Sequence, residues 1–265
     1  MGLTQLGTVP WSPADIAETI PEFLGVYGGR PLQRNAGGMH APHMFALWFM
    51  LRQLRPQVVI ESGVWKGQGT WLIEQAVPDA ALHCIDIDLK RLEYRSDRAE
   101  YHSVDFGDID WSGLVDPASA LLFFDDHQDA LERVHLAETL GFKKLIFEDN
   151  YPPEQGDCYS LKKAFLGSGH HPPRRFLPRL RRPWASQPTA RLAGDADATY
   201  LRSALRTYYE FPPVAKAETT RWGDPWTSER YPTPPPILDE PPTGGASVFA
   251  DEATLYTWMC FAELR

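Results

Sequence analysis

The chain has only three cysteines, no apolar run near the length of a membrane span, and no excess of positive charge. Cys84, Cys158 and Cys260 are widely spaced, which argues against a disulfide framework and predicts reduced thiols in a cytoplasmic protein. A spanning helix needs about 20 consecutive apolar residues, and none is present, so no membrane partner is expected. The opening MGLTQLG lacks the basic and apolar start of a secretory signal, and Leu6 breaks the myristoylation pattern. A formal net charge of −9 speaks against a general nucleic-acid binder. The eight histidines are scattered rather than set in H-x-x-x-H pairs, and His83, His102 and His135 read as structural. Repeats are absent, and the 24 prolines make the only compositional bias. What remains is a soluble chain of 265 residues, 43% hydrophobic, long enough to bury one sizeable core. Its expected partner is a small molecule, with a homo-oligomer left open.

The most informative stretch is Val58 to Thr70, VVIESGVWKGQGT. Val58-Val59-Ile60 is short, β-branched and apolar, as a strand buried on both faces should be. Gly63, Gly67 and Gly69 then permit close backbone approach, and Trp71-Leu72-Ile73 reads as the first turn of a helix. The spacing E-x-G-x-x-x-G-x-G-T departs from both G-x-G-x-x-G and G-x-x-x-x-G-K-[ST], so neither a nicotinamide cofactor nor ATP is favoured. It resembles the first motif of class I S-adenosylmethionine-dependent methyltransferases, an acid followed by G-x-x-x-G. That resemblance implies that the loop, with Thr70 behind it, passes under the cofactor, and that Glu61 orients the loop or binds the methionyl amino group.

Acids end the next segments as well. His83 to Asp88 reads as a second strand, with Asp86 about 20 residues beyond the glycine loop, where a carboxylate can accept ribose hydroxyls; Asp88 could replace it. Tyr101 to Phe106 resembles a third strand, with Asp105 placed to meet an adenine amino group and Phe106 to flank the ring. LLFFDDHQD and KKLIFEDN are apolar strands ending in acids, joined by a helical pattern over Ala130 to Leu140 that Gly141 stops. Such a strand-helix-strand unit makes the strands parallel neighbours roughly 5 Å apart. Asp125 and Asp126 would then face Glu148 and Asp149, and a divalent cation bound through oxygens, with Asn150 and water, is the simplest way to offset their repulsion.

With these residues the chain resembles the metal-dependent methyltransferase branch, in particular the cephalosporin hydroxylase-type and macrolide-sugar O-methyltransferase families. It is also similar to catechol O-methyltransferase. The likeness covers roughly Pro56 to Tyr151. It implies Mg²⁺ or Mn²⁺ on Asp125 or Asp126, Asp149 and Asn150, with Glu148 added. A substrate diol, catechol or hydroxy-acid on the cation would be methylated at one hydroxyl, in sugar or secondary metabolism. Asp126 and His127 are the candidate catalytic groups; His127 is either the general base or a partner orienting a carboxylate.

The expected architecture is an α/β, Rossmann-like methyltransferase fold with a mixed seven-stranded sheet, its last strand antiparallel and helices on both faces. Residues 1–55 form a leading helical segment whose turn at 35–40 is either a lid hinge or a connector, and 56–151 form the cofactor and metal core. Residues 152–245 are a Pro- and aromatic-rich insertion, and 246–265 a closing hairpin. Within the insertion, Arg174 and Arg175 belong to an arginine cluster that either binds an anionic group or is a solvated loop. Trp222 and Tyr231 either line a substrate pocket or pack in a core, and residues 195–210 read as a helix. Rival readings are a metal-dependent enzyme of another class, a non-catalytic ligand-binding protein on the same fold, and a metal-independent methyltransferase.

Overall fold

A two-residue strand, β1 (Gln5–Leu6), leads into helix α1 (Pro13–Gly28), whose start is set by a reciprocal cap: the Asp15 amide donates to Ser12 Oγ, and the Ser12 amide donates to Asp15. Helix α2 (Ala41–Leu54) is buried from Ala41 to Leu51, as a helix apolar on every side must be. Its end is forced by Arg55 in the left-handed region ahead of Pro56. The computed structural model describes residues 3–170 and 191–265. Arg174 and Arg175 lie outside the described residues.

The next units are β2 (Val58–Ser62), α3 (Gln68–Ala76), β3 (Ala81–Ile85), β4 (Ala99–His102), β5 (Ala120–Phe124), α4 (Ala130–Leu140) and β6 (Lys144–Phe147), with only short 3-10 turns between β3, β4 and β5. Helix α4 keeps the expected span, with Asp129 accepting from the amides of Leu131 and Glu132 and Gly141 closing it in the left-handed region. After it come α5 (Leu161–Phe165), α6 (Ala196–Ala204), β7 (Leu205–Glu210), a short α7 (Val248–Asp251) and β8 (Cys260–Leu264). Among the described residues no helix is long and apolar enough to cross a membrane.

Among the described residues, one mixed sheet holds all eight strands in the order β1-β7-β8-β6-β5-β2-β3-β4. The five contiguous strands β6-β5-β2-β3-β4 are parallel, ending at the edge strand β4, while β8 runs antiparallel to β6 and β7. Alternation of side chains sends Val59, Leu121, Phe123 and Ile146 to a core under α1, α2 and α3, and Ile60, Leu122, Phe124 and Leu145 to a second core under α4, α5 and α6.

Two expectations are corrected. The sheet has an eighth strand, because Gln5 and Leu6 pair with Tyr209 and Tyr208. The closing pair is also formed differently: residues 246–249 are helical, and β8 pairs with β7, whose residues 205–210 had the pattern of a helix end. The run LRTYYE is rich in strand formers, and its partner lies about 50 residues downstream, beyond the reach of local periodicity.

Strand order reverses between β2 and β5, and in open α/β sheets that reversal leaves a crevice beyond the carboxyl ends. In register, Ser62 lies opposite Phe124 and Phe124 opposite Phe147. The glycine loop and both acidic loops therefore emerge side by side at one edge.

Candidate active site

The crevice holds a pocket of about 780 Å³ including its open mouth, walled by Ser62, Asp86, Asp105, Asp126, His127 and Arg133 among others. A smaller pocket of about 220 Å³ adjoins it beneath the glycine loop, bordered by Glu61, Gly69 and the segment at Asn35, Gly38 and Met39. Gly63, Trp65 and Asp125 border both.

Glu61 is 1% exposed. One carboxylate oxygen accepts from Thr70 Oγ1 at 2.6 Å and from Cys84 Sγ, while Oε1 is buried with no hydrogen-bond partner. Burial pushes its carboxyl up to about 8, against those hydrogen bonds. A Cβ on Gly69 would overlap Oε1, so a glycine there lets the start of α3 pack directly against that oxygen. Thr70 is wholly buried and supports Glu61 rather than meeting a ligand.

Gly63 has φ +98°, and a Cβ on it would overlap the Asp125 carbonyl. Gly63→Ala is therefore expected to cost roughly 1–3 kcal/mol of stability and to displace the acidic loop; urea unfolding with a ligand titration checks both. Gly67 caps α3. Asp86 faces the larger pocket and tethers the loop, its Oδ2 accepting from the amides of Val64 and Trp65 at 3.2 and 2.9 Å. Asp88 is turned away and pairs with Arg91 at 2.9 Å, so of the two alternatives Asp86 is the one at the pocket. Asp105 also reaches the pocket, bound by Arg133 through two hydrogen bonds of 2.8 and 2.7 Å. Phe106 does not: it is fully buried among Trp111, Phe124 and Phe142 and has no face to offer an adenine ring.

Of the four acids expected to converge, Asp125, Glu148 and Asp149 lie together and Asp126 stands apart. Asp126 is drawn toward Ser62 Oγ at 2.8 Å and Arg133 Nη2 at 2.8 Å, away from the other three. Glu148 lies 2.7 Å from Nδ1 of His43, a residue on α2. The other nitrogen of His43, Nε2, meets the Leu255 carbonyl, which can only accept; Nε2 therefore carries the hydrogen and neutral His43 leaves Nδ1 as an acceptor. Glu148 must then hold a proton, which agrees with burial and the adjacent Asp149 raising its carboxyl and with burial lowering His43 to about 4. Asp149 is the ionised member: burial opposes its charge, but His127 and Glu148 hold it below the ordinary range.

His127 Nδ1 sits 2.6 Å from Asp149 Oδ2 and 3.2 Å from Asp157 Oδ1, with the backbone of His127 in the left-handed region at φ +54°. The Asp149 charge raises the imidazole above its usual range, which favours the imidazolium, although the His127 side chain is 54% exposed to screening water. Asp125 is raised, by burial first and Glu148 next. Ligand atoms of Asp125, His127 and Asp149 lie within 4.8 Å of one another.

Asn150 is not free to join them. Its amide donates to Tyr208 Oη at 2.8 Å and to the Trp258 carbonyl at 3.0 Å, and its Oδ1 accepts from the Lys162 amide at 2.9 Å. It ties β6 to β7 and β8 beside the buried Lys162–Glu210 pair. Tyr231 is corrected likewise: it is 1% exposed and packs with Trp226, Tyr256 and Trp258. Trp222 is half exposed and set edge-on to Tyr151, whose hydroxyl accepts from Arg221 at 2.8 Å.

Sequence reasoning missed His43, Trp65, Arg133, Asp157 and Arg221. A histidine in the all-apolar α2 and an arginine beside the apolar stripe of α4 were the available signals; their carboxylate partners are distant in the chain or on another loop.

No family model matches the chain, and no curated protein does. Among solved structures, the O-methyltransferase TomG from Streptomyces achromogenes, in complex with SAM, is 18% identical with a TM-score of 0.39, covering 59% of this chain and 76% of its own. The methyltransferase PaMTH1 of Podospora anserina, bound to SAH, is 12% identical with a TM-score of 0.37 over 54% and 73% of the two chains. The Mg-SAM form of cmcI is 22% identical with a TM-score of 0.34 over 56% and 71%. At these scores the likeness carries no functional argument.

Proposed function

We propose that the protein transfers a methyl group from S-adenosylmethionine to a hydroxyl of a small polar molecule such as a sugar, diol, catechol or other secondary metabolite, assisted by a divalent cation. The observation that carries this reading is the buried, unpartnered Oε1 of Glu61, at the end of a pocket that continues past Gly63 and Asp125 to the acidic loop. A buried carboxylate oxygen without a donor is costly, and the ammonium of an amino-acid moiety would satisfy it.

Asp86 holds the loop amides and faces the larger pocket, where a ribose would fit beside Trp65. Residues 35–39 border the smaller pocket and would act as its lid. Asp125 and Asp149, with His127 once a cation has displaced its ring proton, fit a divalent cation, and an imidazole among them suits Fe²⁺ or Zn²⁺ better than Mg²⁺. When bound, S-adenosylmethionine supplies the electrophilic methyl and the cation supplies Lewis-acid activation of a hydroxyl. Glu148, kept protonated by burial and the adjacent Asp149, avoids adding another negative charge. Arg221 and Trp222 stand above Tyr151 on the insertion, the segment read as the substrate lobe, and would meet the acceptor.

Calorimetric titration of S-adenosylmethionine and S-adenosylhomocysteine tests the cofactor half; absence of heat with and without metal overturns it. For the metal half, Asp149→Asn is expected to remove the Mn²⁺ isotherm, and chelation to lower methylation of a hydroxylated acceptor on the order of 100-fold or more. A second reading is favoured by the His127–Asp149 contact, in which the imidazolium already stands as the positive group beside the acids. A metal-independent methyltransferase would keep its activity through exhaustive chelation and lose it with His127→Ala.

A further inference from the structure

The far edge of the sheet carries a second cluster of ligand-type side chains. In the parallel pairing of β3 with β4, His83 lies opposite Glu100 and Ile85 opposite His102. Opposite residues share a face and so do residues two apart along a strand, so register alone places His83, Glu100 and His102 on one face. His83 Nδ1 is 3.2 Å from His102 Nε2. The Glu100 carboxylate oxygens stand 3.6 Å from the first of these nitrogens and 3.8 Å from the second. Trp111 walls the cluster, its ring centroid 5.6 Å from that of His83 and 5.8 Å from that of His102. His83 and His102 are largely covered, whereas the Glu100 side chain is 58% exposed.

Two nitrogens each about 2.0–2.1 Å from a tetrahedral zinc ion lie roughly 3.3–3.4 Å apart, close to the separation observed between these two rings. The carboxylate is a few tenths of an ångström further out, on an exposed side chain free to rotate inward. We propose that His83, His102 and Glu100 form a divalent-metal site of the zinc-binding type, separate from the acidic loop, with its fourth position open to water. Two imidazoles and one carboxylate favour Zn²⁺ over Mg²⁺. The ion would clamp the edge strand β4 to β3. Because β4 leads directly to Asp105, the clamp also steadies the carboxylate that binds Arg133 in the candidate active site.

The test uses full-length protein stripped with chelator and carrying Asp125→Asn and Asp149→Asn, which removes the other candidate site. Zn²⁺ calorimetry is expected to give one equivalent, and Co²⁺ the intense visible absorption of a tetrahedral ion. Glu100→Gln, at an exposed position, weakens Zn²⁺ roughly tenfold or more, about 1.4 kcal/mol, with an unchanged circular dichroism spectrum. His102→Gln abolishes the cobalt band. Wild-type protein should bind Zn²⁺ at this site in addition to the acidic loop, and Glu100→Gln in that background should weaken only one of the two isotherms. Absence of a zinc isotherm in the doubly substituted protein, or an isotherm indifferent to Glu100→Gln or to His102→Gln, overturns the proposed ligand set.

Discussion

Glu61→Gln is expected to weaken S-adenosylmethionine by about 2–4 kcal/mol, roughly 30- to 1,000-fold, without lowering stability at pH 7. Glutamine keeps the acceptor for Thr70 but cannot supply the charge that an ammonium group would pair with. The stability half follows from the sign of the ionisation. The folded carboxyl sits at about 8, above its ordinary value of 4.5. Below about 4.5 the group is protonated in both states; as pH rises from there to about 8, only the unfolded chain ionises, and wild-type stability falls by up to a few kcal/mol. Glutamine does not ionise, so the variant should lack that decline. Urea midpoints between pH 5 and 8 read this directly. The same raised carboxyl predicts that cofactor binding at pH 7 releases close to one proton, seen as a dependence of calorimetric heat on buffer ionisation enthalpy. Unchanged affinity and no proton release would mean that the pocket beneath the glycine loop does not receive an amino group.

Arg133→Met is expected to destabilise the protein by about 3–5 kcal/mol at neutral pH, because it strands two carboxylates that share one buried cation. Arg133 is 4% exposed, and its guanidinium contacts Asp105 through two bonds and Asp126 through a third, at 2.7 to 2.8 Å. Burial alone would lower the arginine, yet the two carboxylates raise it, so it stays charged at any working pH. Burial likewise opposes the charge of Asp105, but Arg133 holds its carboxyl below the ordinary value of 3.8. That contribution is present above the unfolded value and is lost as pH falls through the folded one. The penalty of Arg133→Met should accordingly shrink in acid. Adding Asp105→Asn and Asp126→Asn should recover most of the loss at pH 7, as measured by chemical unfolding. All three residues border the larger pocket, so the single variant should also lose cofactor affinity. If the triple variant is no more stable than the single, the arginine acts by packing over Phe124 rather than by neutralising charge.

Much of this arrangement was legible because it is local. A β-branched run before glycines, a helix between Asp129 and Gly141, and acids directly after apolar strands are set by backbone preference and side-chain period over a few residues. Parallel pairing then brought the loops after β2, β5 and β6 to one edge, as the strand-helix-strand spacing required. The choice between Asp86 and Asp88 was not local. It depended on which carboxylate lay within reach of amides more than 20 residues earlier in the chain. The closing strand pair was misread for a related reason: LRTYYE becomes a strand only because β8 arrives beside it.

By itself the sequence determined the α/β architecture, the parallel core and the edge at which glycines and acids gather, since these follow from hydrophobic period and turn chemistry. Only the tertiary structure decided the charge state of that edge. Arg133 takes Asp126, burial and Asp149 keep Glu148 protonated beside His43, His127 takes Asp149, and Asn150 is spent on Tyr208 and Trp258. A carboxylate's ionisation depends on what lies within a few ångströms of it and on how much water is excluded, and both are properties of packing rather than of neighbours in the chain.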